Sequence, residues 1–145
     1  MLFANRKIVY VDMDYTLRDY TTAYSRCRQE AQHVAFPQSL PGFFTGLAPM
    51  PGAVETYHWL HTRPEMEVFI LTAPSFRNPR LWVETYLGFE IVSRLIISPH
   101  KGLNKGDYLI DDNAEGKGQE YFEGELVQFG TERYPDWVEV KRYFS

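Results

Sequence analysis

The chain has 145 residues, 44% of them hydrophobic, which is enough to fill one core and sets the expectation of a single domain over residues 1–145. A formal charge of -4 and a pI near 5.5 exclude a broad basic surface, so long duplex DNA or RNA is not an expected partner, although a local positive pocket can still hold one phosphate. The lone cysteine, Cys27, cannot close an internal disulfide, no Cys/His cluster has zinc spacing, and no apolar run reaches signal-peptide or membrane-span length; a soluble, unprocessed, cytoplasmic protein with no membrane partner is expected.

Lys7 to Val11 is short, β-branched and nearly all apolar, the pattern of a strand buried on both faces of a parallel sheet, and it runs straight into Asp12. A polar, helix-like stretch from Tyr20 to Val34 then leads into Phe36-Pro37, Pro41-Gly42-Phe43-Phe44 and Pro49-Met50-Pro51, so residues 19–50 read as an insertion after the first strand. Helix periodicity starts after Pro51-Gly52, with Val54, Tyr57 and Leu60 on one face. A second strand is predicted at Glu67 to Leu71 and a helix at Pro79 to Leu87. Further strands follow at Arg94 to Ile97, Tyr108 to Ile110 and Glu125 to Phe129, and the last helix at Pro135 to Phe144. Strands alternating with helices predict βαβ units and a doubly wound parallel α/β sheet. Ligands of such sheets bind outside the carboxyl ends of the strands, so an insertion leaving that edge is placed to act as a lid.

The strand ends carry the chemistry. Asp12-Met13-Asp14 puts two acids just past a buried strand, where unpaired carboxylates are costly unless they meet a metal, a cation or solvent. Phosphoryl transfer gives both a task, one as nucleophile and the other as proton donor and later base; the bland alternative is that they cap the following turn. Val68 to Leu71 ends at Thr72-Ala73-Pro74-Ser75, where a hydroxyl and backbone amides can hold phosphate oxygens. Leu95 to Ile97 leads through Ser98-Pro99-His100 to Lys101, a cation that either neutralises a transferring phosphoryl group or is merely solvated. Tyr108 to Ile110 ends in Asp111-Asp112, adjacent carboxylates that repel unless a cation sits beside them, and magnesium suits such an oxygen set.

Taken together, Asp12-Met-Asp14-Tyr-Thr16, Thr72, Lys101 and Asp111-Asp112 resemble the four motifs of the haloacid dehalogenase (HAD) phosphatases, in their usual order. The segments Phe43 to Glu55, Val68 to Pro74, Trp82-Val83-Glu84, Leu109 to Asp112 and Pro135-Asp136-Trp137 resemble, more narrowly, the 5'(3')-deoxyribonucleotidases. The resemblance covers nearly the whole chain and implies a HAD-like (Rossmann-like) sheet with a small helical cap. It implies an Mg2+-dependent phosphomonoesterase whose substrate is a small phosphomonoester, a nucleoside monophosphate foremost. Asp12 would form the aspartyl-phosphate and Asp14 would be the general acid and base. Mg2+ would be held by Asp12, the Asp14 carbonyl and Asp112, with Asp111 in support. Thr72 and Lys101 would grip phosphoryl oxygens, and Met13, Tyr20 and Ala73 would complete the substrate contacts. Lys105 is a rival to Lys101, which keeps the family's distance to Asp111-Asp112.

The insertion is shorter than the family's, Tyr15 replaces a small residue, and Ala73 stands where a serine is common. A short cap leaves shielding open to a neighbouring subunit, so a homodimer is compatible with the pattern. Tyr20 falls where the family stacks an aromatic on the nucleobase; the alternative is that it packs its own helix, and Phe43 and Phe44 read as core or lid packing. Three other functional readings stay open at this stage: a phosphatase for another small ester or a nucleic-acid end, a catalytically silent metal- or nucleotide-binding module, and a receiver-type sensor.

Overall fold

The computed structural model describes residues 5–30, 35–36, 47–74 and 78–145. Five strands, β1 (Lys7–Val11), β2 (Met66–Thr72), β3 (Leu95–Ile97), β4 (Tyr108–Asp111) and β5 (Glu125–Gln128), form one sheet in the order β3-β2-β1-β4-β5. Every pairing is parallel. The helices are α1 (Tyr20–Glu30), α2 (Ala53–Thr62), α3 (Pro79–Tyr86) and α4 (Trp137–Phe144), with short 3-10 turns at Phe89–Arg94, Lys101–Leu103 and Gln119–Tyr121.

The sheet winds away from β1 in both directions, and the connections of the two halves land on opposite faces. On one face Val9, Val11, Val68, Ile70, Ile110 and Val127 form the main core with Tyr57 and Leu60 of α2, Trp82 and Val83 of α3, and Trp137 and Val140 of α4. The other face is thinner. There Tyr10, Leu71 and Leu109 are covered by Phe122, whose ring meets Tyr10 edge-on at 6.0 Å, next to the 3-10 turns that replace full crossover helices.

Local chemistry explains the element ends. Asp136 accepts a hydrogen bond from the Glu139 amide at 3.0 Å, so the last helix starts at Trp137, after the cap, where the sequence pattern placed its start at Pro135. Asn78 caps α3 in the same way ahead of Pro79. In α2 the buried positions Ala53, Thr56, Tyr57 and Leu60 follow the 3.6-residue period. The helix α1 has no buried residue, and Val34, Phe43 and Phe44 of the expected insertion lie outside the described residues. Among the described residues no helix is long and apolar enough to cross a membrane.

The register positions the site. Val11 lies opposite Ile70 on one side and Ile110 on the other, and the Asp12 amide donates to the Ile110 carbonyl at 2.9 Å. The ends of β1, β2 and β4 therefore open onto one edge.

Candidate active site

Asp12, Asp14, Thr72, Ala73, Lys101, Asp111 and Asp112 all line one cavity of about 210 Å3 at that edge. The loop after β1 is a tight one. The Met13 carbonyl accepts from the amides of Thr16, Leu17 and Arg18 at 3.3, 2.8 and 3.0 Å, which turns the chain back on itself. Tyr15, inside this turn, has a φ of 66°, a left-handed conformation that strains a residue with a Cβ. Its ring lies 4.9 Å from that of Tyr20, which in turn stacks on Tyr24 at 6.0 Å.

Lys101 is the electrostatic centre. Only 2% exposed, it donates to Asp12 Oδ1 at 2.7 Å and to Asp111 Oδ2 at 2.6 Å. Burial disfavours its charge, but the two carboxylates outweigh that cost and hold its pKa above the ordinary lysine value. The Asp12 carboxyl is pushed well above the usual range, chiefly by burial; Lys101 opposes that shift and Asp111 adds to it. Burial is also the main cause raising Asp112, with its hydrogen bond to Asp12 working the other way. Oxygen atoms of Asp12, Asp111 and Asp112 lie within 4.8 Å of one another. One ammonium among three carboxylates leaves negative charge in a small volume, and a hard divalent cation with oxygen ligands suits that donor set.

Around this core stand residues to which the strand-end pattern gave no role. The Thr16 hydroxyl lies 3.2 Å from Asp12 Oδ2 and 3.4 Å from Asp112 Oδ1, and its own carbonyl accepts the indole N–H of Trp137 at 2.8 Å. Gln119 donates to Asp111 Oδ2 at 3.3 Å, while Asp111 Oδ1 accepts the Asn113 amide at 2.9 Å, so both oxygens of this fully buried acid are engaged. Lys117 reaches the cavity wall, and its amide donates to Gln119 Oε1 at 2.7 Å. Gly118 (φ 86°) passes so close to His100 that a Cβ would sit 2.6 Å from Nδ1, which lets the 3-10 turns carrying Lys101 and Gln119 close together. Arg18, 1% exposed, pairs with Asp14 at 2.5 Å. Of these, Thr16 closes the Asp12-to-Thr16 motif read from the sequence, and Arg18 leaves the i,i+4 spacing of acid and base.

Two expected contacts lie elsewhere. The Met13 side chain is wholly buried in the main core and does not line the cavity, so any ligand contact there belongs to its backbone. Tyr20 lines an adjoining cavity of about 360 Å3, shared with Tyr15, Met50, Asp112, Phe129 and Pro135. Lys105 is on the surface, paired with Glu123 at 2.6 Å.

No protein-family model matches the chain. A protein of Vibrio phage KVP40 named as a 5'(3')-deoxyribonucleotidase is 37% identical over 149 residues, covering 97% of this chain and 86% of that protein. The human 5'(3')-deoxyribonucleotidase of cytosolic type is 38% identical over 96 residues, covering 62% of this chain and 48% of the human protein; against that relative the chain spans about half the length. Among solved structures, the HAD hydrolase YfnB of Bacillus subtilis, bound to magnesium, matches with a TM-score of 0.66 at 12% identity, covering 91% of this chain and 90% of that one. A HAD-family hydrolase of Deinococcus radiodurans, with bound phosphate and sodium, matches at 0.55 and 13% identity over 98% and 89%. At these identities the structures speak to the fold alone.

Proposed function

Since the chain belongs to the 5'(3')-deoxyribonucleotidase family of HAD phosphatases, we propose that it hydrolyses nucleoside monophosphates through an aspartyl-phosphate on Asp12. The observation that carries this reading is the meeting of Asp12, Asp14, Thr72 and Lys101 in one cavity that adjoins an aromatic-walled one. Lys101 and Thr72 bind the phosphoryl oxygens, and the aromatic cavity receives the nucleoside.

An Asp12 carboxylate oxygen attacks phosphorus as the ester P–O bond breaks, its electron pair leaving on the ester oxygen, which takes a proton from Asp14. Water then attacks the phosphoryl group and gives a proton to Asp14, the P–O bond to Asp12 breaks, and phosphate and the original carboxylate are restored. Thr16 keeps Asp12 oriented during both displacements. Asp12, the Asp14 carbonyl and Asp112 would hold Mg2+, since Asp111 is already engaged by Lys101, Gln119 and the Asn113 amide. When bound, the ion would supply positive charge that offsets the carboxylates and the charge of the phosphoryl group.

Stacking on Tyr20 would add about 1–3 kcal/mol for a base, enough to prefer nucleotides over plain esters. The cytoplasm is the compartment proposed, in keeping with a single cysteine. The test is phosphate release from deoxy- and ribonucleoside 5'- and 3'-monophosphates and common sugar phosphates, with Mg2+ or chelator, for wild type and Asp12→Asn. Nucleotides should lead, and both chelator and substitution should abolish release. Preference for sugar phosphates would overturn the substrate, and turnover surviving in Asp12→Asn would overturn the nucleophile.

A further inference from the structure

A buried arginine is expensive unless it is paired, and Arg18 is among the largest fully buried side chains of the described residues. Its Nε donates to Asp14 Oδ1 at 2.5 Å, and its guanidinium lies 5.9 Å from the centre of the Trp82 ring. The backbone that carries it is held from several directions. The Arg18 amide donates to the Met13 carbonyl at 3.0 Å, and the Arg18 carbonyl accepts from the amides of Tyr15 and Tyr20 at 3.0 and 3.1 Å. Bridges link Arg18 to Asp14 and to Pro49, and the neighbouring bonds from the Asp19 amide to the Ala48 carbonyl (2.7 Å) and from the Met50 amide to the Leu17 carbonyl (2.8 Å) join the two ends of the insertion. Trp82 is anchored in turn by its indole N–H on the Leu47 carbonyl at 2.7 Å.

Asp14 is otherwise a half-buried side chain on the cavity wall, and a short carboxylate has few means of choosing a rotamer there. The pair with Arg18 engages Oδ1 while the carboxylate still faces the cavity. Among the described residues Asp14 lines the cavity and Arg18 does not, so Arg18 bears on the cavity through its bond to Asp14.

We propose that Arg18 is a positioning residue that aims the Asp14 carboxylate at the leaving-group oxygen; this rests on the reading of Asp14 as proton donor. A wandering Asp14 carboxyl group, in its protonated form, delivers its proton less often, so loss of Arg18 lowers turnover without weakening phosphate binding.

The experiment is a double-mutant cycle with Arg18→Met, Asp14→Asn and the double variant, assayed on a nucleoside monophosphate and on para-nitrophenyl phosphate, whose leaving group departs readily without a proton. Arg18→Met should lower kcat on the nucleotide roughly 10- to 100-fold, part of the ~10²–10⁴ a general acid supplies, with KM changed less than about threefold. On the aryl ester the loss should be several times smaller, and the double variant should be no slower than Asp14→Asn. Arg18→Lys, tested alongside because the Met variant can compromise folding, keeps the charge but not the Nε geometry and should recover only part of the nucleotide kcat. Independent, multiplying losses in the double variant, or equal losses on both esters, would reduce Arg18 to a packing residue and overturn the proposal. Full nucleotide turnover in Asp14→Asn would instead sink the role of Asp14, an outcome the single variant reports by itself.

Discussion

Replacing Trp137 with Phe probes how the core supports the site. The indole is 1% exposed and donates to the Thr16 carbonyl at 2.8 Å, 121 positions away in sequence. Phenylalanine cannot donate, which leaves a buried carbonyl without that partner at a cost of about 1–3 kcal/mol. The smaller ring also vacates on the order of 40 Å3, near 1 kcal/mol at about 24 cal/mol per Å3. The expected destabilisation is roughly 2–4 kcal/mol, or a fall in Tm of about 6–12 °C for a chain of this size. Urea titration followed by circular dichroism, with Val138→Ala as an exposed control that should move by less than about 0.5 kcal/mol, measures it. A midpoint shift worth under about 1 kcal/mol at unchanged m-value would refute the coupling of α4 to the loop after β1.

Two further outcomes are expected. Tyr20→Ala should raise KM for nucleotides at least about fivefold while leaving para-nitrophenyl phosphate unaffected, if base stacking supplies even the low end of about 1–3 kcal/mol; an equal change on both substrates would mean that Tyr20 only packs α1. Burial, aided by the neighbouring Arg94 and His58 and opposed by Glu90, lowers the pKa of His61 below 6.5, so the unfolded chain takes up its proton first as pH falls. Folding stability should therefore decline as pH drops from about 6.5 toward the folded-state value, and be free of this contribution above that window. His61→Gln should flatten that slope in denaturant titrations at a series of pH values, and an unchanged slope would show that His61 does not contribute.

The strands and their acidic ends were legible because a parallel sheet buries both faces: the apolar runs mark the strands, and the first polar residue after each run lies at the carboxyl edge. Asp12, Thr72 and Asp111-Asp112 all follow that rule. Boundaries shifted where a side chain took over from the helix pattern, as Asp136 did at α4. Gln119 and Arg18 leave little mark in the sequence for a different reason, since each is defined by partners that only the tertiary structure brings near; Thr16 is visible there as the end of the Asp12-to-Thr16 motif, but its bonds to Asp12 and Asp112 are not. In the sequence Arg18 sits between Leu17 and Asp19 and resembles any solvated arginine, yet it is almost wholly enclosed. Gln119 belongs to a short 3-10 turn with no periodicity to mark it.

The place of β1 has a consequence for how the protein fails. It is the middle strand, hydrogen-bonded along both edges, whereas β3 and β5 each have one neighbour. Fraying at the margins of the sheet leaves Asp12 where it is, and only disruption of the whole sheet releases it. Amide protons of Val9 to Val11 should then exchange only through the global opening, whereas turnover, which also needs Lys101 just beyond the edge strand β3, should fall as soon as that margin frays.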